Sequence, residues 1–271
     1  MTQRIFLTDM DGTLLCTDKS ISKENKEMVH ALLDAGHVFA IASGRAYASL
    51  QRIIDELEVR RAGCFVVANN GAQVYDMATG ERIRDMAVEP SAARHLYEEA
   101  ARWGIYIQSY STEYILGSRA CPEFDAYVEE AGSAGKIEAP EITLQRRLPK
   151  VLLVELHDHQ KLVDFQEAHR DWQEGRCISF FSSPRYLEYC PIGSSKGDAL
   201  KFLCERLEIP VESSYAIGDE ENDLSMILAA GTGVAMCNAI PEVLKAANVI
   251  TEHDHDHNGV AEIIRKYVLT D

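Results

Sequence analysis

The chain reads as an α/β protein: a doubly wound, parallel sheet with an α+β domain inserted in its middle. Three observations predict this. Short apolar runs alternate with helix-period segments in the first and last thirds. The middle third is richer in hairpin patterns. Polar residues suited to chemistry stand just past several apolar runs, where open α/β sheets gather their ligands.

The first strand is Ile5-Phe6-Leu7, ending at Thr8-Asp9. Ser22 suits an N-cap, and Met28, Val29, Leu32 and Leu33 give a helical stripe that stops near Gly36. A second strand spans 38–42, a helix runs through Ile53, Ile54 and Leu57, and a third strand covers 64–68. Residues 72–75 and 82–86 flank Thr79-Gly80 and predict a hairpin. After Pro90 come a helix over 91–103, strands at 105–110 and 113–117, another helix, and a Gly/Ser break at 132–135. A strongly apolar strand at 151–156 follows, then a helix carrying Leu162, Phe165 and Trp172, and a hairpin of 177–181 with 186–190.

From Ser195 the α/β alternation resumes. The pattern gives a helix to Leu207, strands at 214–217, 233–236 and 248–250, helices after Asp219 and Pro241, and a last helix from Gly259. The ends therefore form two halves of one domain, residues 1–84 and 190–271, interrupted by a second domain over 85–189.

Composition narrows the function classes. The 271 residues include 43 Asp and Glu against 27 Lys and Arg, a net charge of −16. Duplex binding draws its affinity from phosphate neutralisation by basic side chains, so a nucleic-acid partner is not expected. Adsorption to anionic lipid is disfavoured for the same reason. No apolar run approaches the roughly 20 residues of a membrane span, and no secretory signal opens the chain, so a cytoplasmic location is expected. Seven cysteines without a C-x-x-C give neither a disulfide framework nor a zinc ribbon.

The strand-end residues carry the chemistry. They are Asp9 and Asp11, Ser43-Gly44-Arg45, Asn69-Asn70-Gly71, and Gly218-Asp219 with Asn222-Asp223. Crowded carboxylates repel unless a cation stands between them, and a hard divalent ion with oxygen ligands fits, Mg²⁺ above all when a phosphate is bound beside it. Each signal has a bland reading as well. D-x-D-G is ordinary turn chemistry, Ser43-Gly44 an N-cap, Asn70-Gly71 a turn, and the acids after Gly218 a first helical turn. Their joint occurrence past different strands favours a site.

Together these segments resemble a known family. Thr8-Asp9-Met10-Asp11-Gly12-Thr13-Leu14-Leu15, Ala42-Ser43-Gly44-Arg45, Ser195-Lys196-Gly197 and Gly218-Asp219-Glu220-Glu221-Asn222-Asp223 resemble, in order and spacing, the four motifs of haloacid dehalogenase-type phosphohydrolases. An insert between the second and third motifs is similar to the Cof-like subgroup with a type IIB cap. Asn69-Asn70-Gly71-Ala72, the segment Gly233 to Ala239 and Gly259-Val260-Ala261 match locally, and Cys237 departs from an expected glycine.

The resemblance implies a Rossmann-like core, an inserted α+β cap, and Mg²⁺-dependent hydrolysis of a small phosphorylated metabolite, such as a sugar phosphate, through an aspartyl-phosphate. Asp9 would be the nucleophile and Asp11 the general acid and base, the two sharing a face as i and i+2 of an extended segment. Ser43, Gly44, Lys196 and Asn222 would bind phosphate. Asp9, Asp11, Asp219 and Asp223 would hold the metal, Asp11 through its backbone carbonyl. A monomer or homodimer is expected. A phosphomutase is the alternative within this chemistry, and a phospho-acceptor signalling module is one outside it; Asp11 argues against the latter, because an acid-base group shortens the life of an acyl phosphate. Arg119, Tyr114 and Tyr186 are the cap's candidates for substrate contact. The loop with His253, His255 and His257 admits a transition-metal reading, weighed against a solvated loop.

Overall fold

The computed structural model describes residues 2–270. In chain order the elements are β1 (Ile5–Thr8), α1 (Lys23–Asp34), β2 (Val38–Ala42), α2 (Gln51–Leu57), β3 (Cys64–Ala68), β4 (Gln73–Asp76) and β5 (Arg82–Asp85). Next come α3 (Pro90–Trp103), β6 (Tyr106–Tyr110), β7 (Ile115–Gly117), α4 (Pro122–Ala131), β8 (Gly135–Ile137), α5 (Pro140–Thr143) and β9 (Val151–Val154). Then α6 (His159–Ala168), α7 (Arg170–Gln173), β10 (Ile178–Ser183) and β11 (Tyr186–Cys190) complete the middle. The last part holds α8 (Lys196–Arg206), β12 (Ser214–Gly218), α9 (Leu224–Ala229), β13 (Thr232–Ala235), α10 (Pro241–Ala246), β14 (Val249–Ile250) and α11 (Gly259–Ile263).

The chain divides into two compact units. One contains the residues up to Gly44, Gln51–Arg84 and everything from Ser195; the other contains Arg45–Leu50 and Asp85–Ser194. The first is built on an eight-stranded sheet of order β14-β13-β12-β1-β2-β3-β4-β5. Its pairings from β14 to β3 are parallel, and β4 runs antiparallel to β3. Every residue of β1, β2 and β3 is buried. Both sheet faces are therefore covered, which explains why these strands read as continuous apolar runs. Ile5, Leu7, Val38, Ala40 and Val67 pack with Ala199, Leu200 and Leu203 of α8.

The chain leaves β1 towards β2 and β3 on one side, while β12, β13 and β14 fill the other. The sheet thus reverses its winding at β1, and the carboxyl ends of β1 and β12 open on the crevice that such a reversal creates. Capping fixes the flanking helices. Ser22 accepts a hydrogen bond from the Asn25 N–H at the start of α1, and Ser195 forms a reciprocal capping box with Asp198 at the start of α8.

The second unit is a six-stranded sheet of order β10-β11-β9-β6-β7-β8, antiparallel except for β7 beside β8. Its main core sets Leu96, Tyr97, Ala100, Leu162 and Phe165 from the helices against Ile105, Ile107, Val151, Leu153 and Leu187. The opposite face carries Tyr106, Tyr110, Leu152, Val154 and Tyr186, packed near Phe124 of α4.

Several boundaries differ from the sequence reading. Residues 190–194 and 45–50 group with the inserted unit, not with the flanking halves. β8 follows the Gly/Ser break and is exposed along its length, so it carries no apolar pattern to read. The helix expected to run from Leu162 to Trp172 breaks at His169, whose φ is −107°. There the imidazole Nδ1 takes the Phe165 carbonyl at 2.7 Å.

Candidate active site

The predicted site residues belong to the first unit and gather past β1, β2 and β12. Asp9 directly follows β1, its N–H donating to the Ile217 carbonyl at 2.9 Å, so the parallel ladder itself fixes its backbone. Lys196 opens α8 and is fully buried, an arrangement that only a strong partner permits. Its ammonium donates to Asp9 Oδ1 and to Asp223 Oδ1, each at 2.6 Å. Asp223 is clamped from the other side as well, because its Oδ2 accepts the N–H groups of Asp219 and Glu220 at 3.0 and 3.1 Å.

Asp219 lies just beyond β12, with Thr13 Oγ1 donating to its Oδ1 at 2.6 Å. Carboxylate oxygens of Asp9, Asp219 and Asp223 lie within 4.8 Å of one another, and all three residues are buried. Two glycines make room for them. A Cβ on Gly12, where φ is +78°, would stand 2.3 Å from Asp219 Oδ2, and one on Gly218 would stand 2.4 Å from the Asp223 carboxyl carbon.

The electrostatics follow from this crowding. If all three acids ionise, one ammonium leaves two negative charges uncompensated in a poorly solvated space. Burial and the neighbouring Asp223 charge raise the Asp9 carboxyl well above the ordinary carboxylate range, against the pull of Lys196. Burial pushes Asp219 up to about 7, opposed by the Thr13 hydrogen bond and reinforced by Asp223. Burial would lower the Lys196 ammonium, but the charges of Asp223 and Asp9 outweigh it and hold it above its usual value.

The donor set fits a divalent cation. It is all oxygen, carries two surplus negative charges, and leaves Asp9 Oδ2 and Asp219 Oδ2 without a hydrogen bond among the described residues. Asp223 has both oxygens engaged by Lys196 and the Asp219 and Glu220 amides, so it acts chiefly as the brace of the cluster.

Asp11 is placed differently from the extended i, i+2 geometry expected of it. β1 ends at Thr8 and residues 10–14 turn, with Asp11 bridging to Leu15. Its partly exposed carboxylate pairs with Lys19 at 2.9 Å. Ser43 follows β2, buried, with its N–H donating to the Val67 carbonyl and its carbonyl accepting from the Asn70 N–H. Gly44 lies under Asn70: a Cβ there would sit 3.0 Å from Asn70 Oδ1. Asn222 joins the same group by donating to Asn70 Oδ1 at 3.1 Å.

Asn70, Thr13 and Lys19 were not assigned roles from the sequence. Asn70 had a visible signal, because Asn-Asn-Gly is the residue choice for left-handed backbone, and Asn69 and Asn70 adopt φ of 51° and 53°. Gly71 beside them, at φ +96°, would put a Cβ 2.1 Å from the Ser195 carbonyl oxygen, so this tight turn also seats the start of α8. Thr13 lay inside a quoted motif, but its partner is 206 residues away. Lys19 gave no signal at all.

The residues singled out in the insert separate. Tyr186 is buried and its hydroxyl donates to Glu130 at 2.6 Å, Tyr114 is exposed, and Arg119 lies over the Tyr106 ring. In the histidine loop each imidazole takes its own acid: His253 pairs with Glu262, His257 with Asp254, and His255 stands 3.8 Å from Asp256. Among the described residues no helix is long and apolar enough to cross a membrane.

Known proteins resemble the chain in sequence and in fold. Residues 6–264 match the family model of haloacid dehalogenase-like hydrolases. A 5-amino-6-(5-phospho-D-ribitylamino)uracil phosphatase of Bacillus subtilis is 29% identical, covering 94% of this chain and 95% of its own. An HMP-PP phosphatase of Serratia proteamaculans is 28% identical over 89% of this chain and 86% of its own. A haloacid dehalogenase-like hydrolase from Bacteroides thetaiotaomicron superposes with a TM-score of 0.89 at 30% identity, over 98% of this chain and 99% of that one. A subclass IIB sugar phosphatase shares the fold, with a TM-score of 0.84 at 18% identity. The chain belongs to the haloacid dehalogenase-like hydrolases, among their Cof-like members.

Proposed function

We propose that the protein is a Mg²⁺-dependent phosphatase that hydrolyses a small phosphomonoester, of the sugar-phosphate class, through an aspartyl-phosphate on Asp9. The observation that carries this reading is the Asp9–Lys196–Asp223 bridge beside Asp219. Nucleophile, cation and metal-type acids share one buried cluster at the sheet's switch point. The names of relatives that act on phosphorylated substrates support the same class.

In this mechanism an Asp9 carboxylate oxygen forms a bond to phosphorus as the ester oxygen departs. Asp11 supplies the proton that makes the departing oxygen a neutral hydroxyl. Water then attacks phosphorus, Asp11 takes a proton from it, and the Asp9–phosphorus bond breaks to release phosphate and restore both carboxyls. Lys196 favours the ionised form of Asp9 against its burial and offers positive charge to the phosphoryl oxygens, with Ser43, the Gly44 backbone and Asn222 as further donors. Asp9 and Asp219, with the Asp11 carbonyl and support from Asp223, would hold Mg²⁺, which neutralises the surplus charge and polarises the phosphoryl group.

A phosphate-release screen over sugar phosphates, nucleotides and cofactor phosphates with Mg²⁺ tests the class. Turnover of at least one phosphomonoester is expected; no release from any member would end the proposal. The acid-base role has its own test. Asp11→Asn should slow turnover by about 10²–10⁴-fold. It should also let a phosphoenzyme accumulate with activated substrates, seen by intact mass. Wild-type turnover without accumulation would reassign Asp11.

Metal and proton compete for the same acids, which sets a pH dependence. The Asp219 carboxyl, at an ordinary value of 3.8 in the unfolded chain and about 7 in the fold, holds its proton longer when folded. Asp219 therefore contributes a loss of stability to the metal-free protein as pH rises from about 4 to about 7. Mg²⁺ should bind more tightly over the same rise, because it replaces that proton. Thermal unfolding from pH 5 to 8, in chelator and in Mg²⁺, should show the stabilisation by Mg²⁺ growing with pH. A gap independent of pH would contradict the assignment of Asp219 as a ligand.

A further inference from the structure

The inserted unit carries a second set of metal-type donors, chemically unlike the aspartate cluster. His95 and Glu99 stand four residues apart on α3, so both project from one helix face. His169, at the break after α6, brings a third donor to them. One ligand atom from each of the three lies within 4.8 Å of the other two.

The hydrogen bonding of His169 makes this more than proximity. Its Nδ1 lies 2.7 Å from the Phe165 carbonyl oxygen, which can only accept, so Nδ1 carries the proton. In the neutral ring Nε2 is then a bare lone pair, and it faces Glu99 Oε2 at 3.6 Å. Two lone pairs so placed repel unless a cation stands between them. The separation exceeds a good hydrogen bond. It is close to the roughly 3.4 Å between neighbouring ligands on tetrahedral Zn²⁺ with bonds of about 2.05 Å.

The surroundings also favour a metal over a proton. A carbonyl that fixes the far nitrogen of a histidine is the usual outer support of a metal-binding imidazole. His95 stacks on Trp172, with ring centroids 4.2 Å apart and planes at 24°, which fixes its orientation. Burial lowers the His95 imidazole below its ordinary value despite the opposing charge of Glu99, so the ring favours the neutral, ligating form. Arg102, one turn further along α3, pairs with the other carboxylate oxygen of Glu99.

We propose that His95, Glu99 and His169 form a site for one borderline transition-metal ion, Zn²⁺ foremost, with water as the remaining ligand. The ion would tie α3 to the end of α6 across the main core of the inserted unit. Two nitrogens and one carboxylate select Zn²⁺, Ni²⁺ or Co²⁺ over Mg²⁺, so the two sites sort their metals by ligand type.

The molecule contains its own reporters. Its two tryptophans both flank the cluster: Trp172 stacks on His95, and the Trp103 ring lies 6.4 Å from His169. Chelator-treated full-length protein in excess Mg²⁺ should show saturable quenching of tryptophan fluorescence when titrated with Ni²⁺ or Co²⁺. Zn²⁺ should reverse the quenching and bind with a stoichiometry of one by calorimetry. His95→Gln and Glu99→Gln should each weaken binding by at least about 10–100-fold. The triple change His253→Gln, His255→Gln, His257→Gln should leave the quenching unchanged. Circular dichroism shows whether each variant is folded, and Glu99→Gln decides the matter if His95→Gln is not. No saturable quenching in the wild type, or equal quenching in folded Glu99→Gln, would overturn the site.

Discussion

Asp9→Asn is expected to remove phosphatase activity, with kcat falling on the order of 10⁴- to 10⁶-fold. The change keeps shape and takes away only the charge and one acceptor. An amide oxygen is a poor nucleophile towards phosphorus, and it cannot leave Asp9 as a recyclable acyl phosphate. The fold should tolerate the change, because Asp9 is one of three acids competing for a single ammonium. With Asn at 9, Lys196 keeps its 2.6 Å bond to Asp223, and the repulsion among Asp9, Asp219 and Asp223 falls. The metal-free variant should therefore be as stable as wild type or more so, while its response to Mg²⁺ weakens. Urea unfolding with and without Mg²⁺, run beside the phosphate-release assay, checks both halves. Residual turnover within tenfold of wild type would remove Asp9 from the nucleophile's place.

Lys196→Met is expected to fail in the opposite sense, losing stability as well as catalysis. Methionine fills a similar volume but leaves Asp9 and Asp223 facing each other without the ammonium between them. Breaking one partner out of a buried ion pair costs about 3–5 kcal/mol, because the remaining charge is left unpaired. Here two carboxylates are left, so the upper part of that range is expected, reduced where protonation relieves them. The loss should grow with pH as the acids ionise, and saturating Mg²⁺ should restore part of it. Activity should fall at least about 10³-fold, since in the proposed mechanism the same ammonium offers its charge to the transferring phosphoryl group. Chemical unfolding at pH 5.5 and 8 separates this from a simple packing defect, which would cost the same at both. An equal loss at the two values would mean that Lys196 acts by volume and not by charge.

The contrast between these variants shows which parts of the molecule could be read in advance. The strands of the parallel sheet were legible because burial on both faces leaves a continuous apolar run, as in Val38–Ala42 and Cys64–Ala68. Asp9, Lys196 and Asp219 were legible because each follows a strand or opens a helix in a recognisable local pattern. Exposed β8 was not, and neither was the break at His169, where a side chain takes a carbonyl from its own helix. Pairings set by tertiary distance, such as Thr13 with Asp219, carry no local trace. Asp11 shows the limit of reasoning by strand period. Its spacing from Asp9 suggested a shared face, but the strand ends one residue before Asp9 and the turn hands Asp11 to Lys19.

The position of β1 also bears on how the molecule comes into being. Ile5 to Thr8 lie between β2, which follows closely in the chain, and β12, whose partners begin at Ser214. A ribosome has therefore released the strand that ends beside Asp9 long before its second neighbour exists. The segment from Asp85 to Ser194 is continuous and owns a core, so it is free to fold while the first unit waits with an open edge at β1. Lys196, Asp219 and Asp223 arrive only after that interval. Assembly of the acidic cluster is in this way a late event in synthesis: a nascent chain that stalls before β12 holds Asp9 and Lys196 but neither Asp219 nor Asp223.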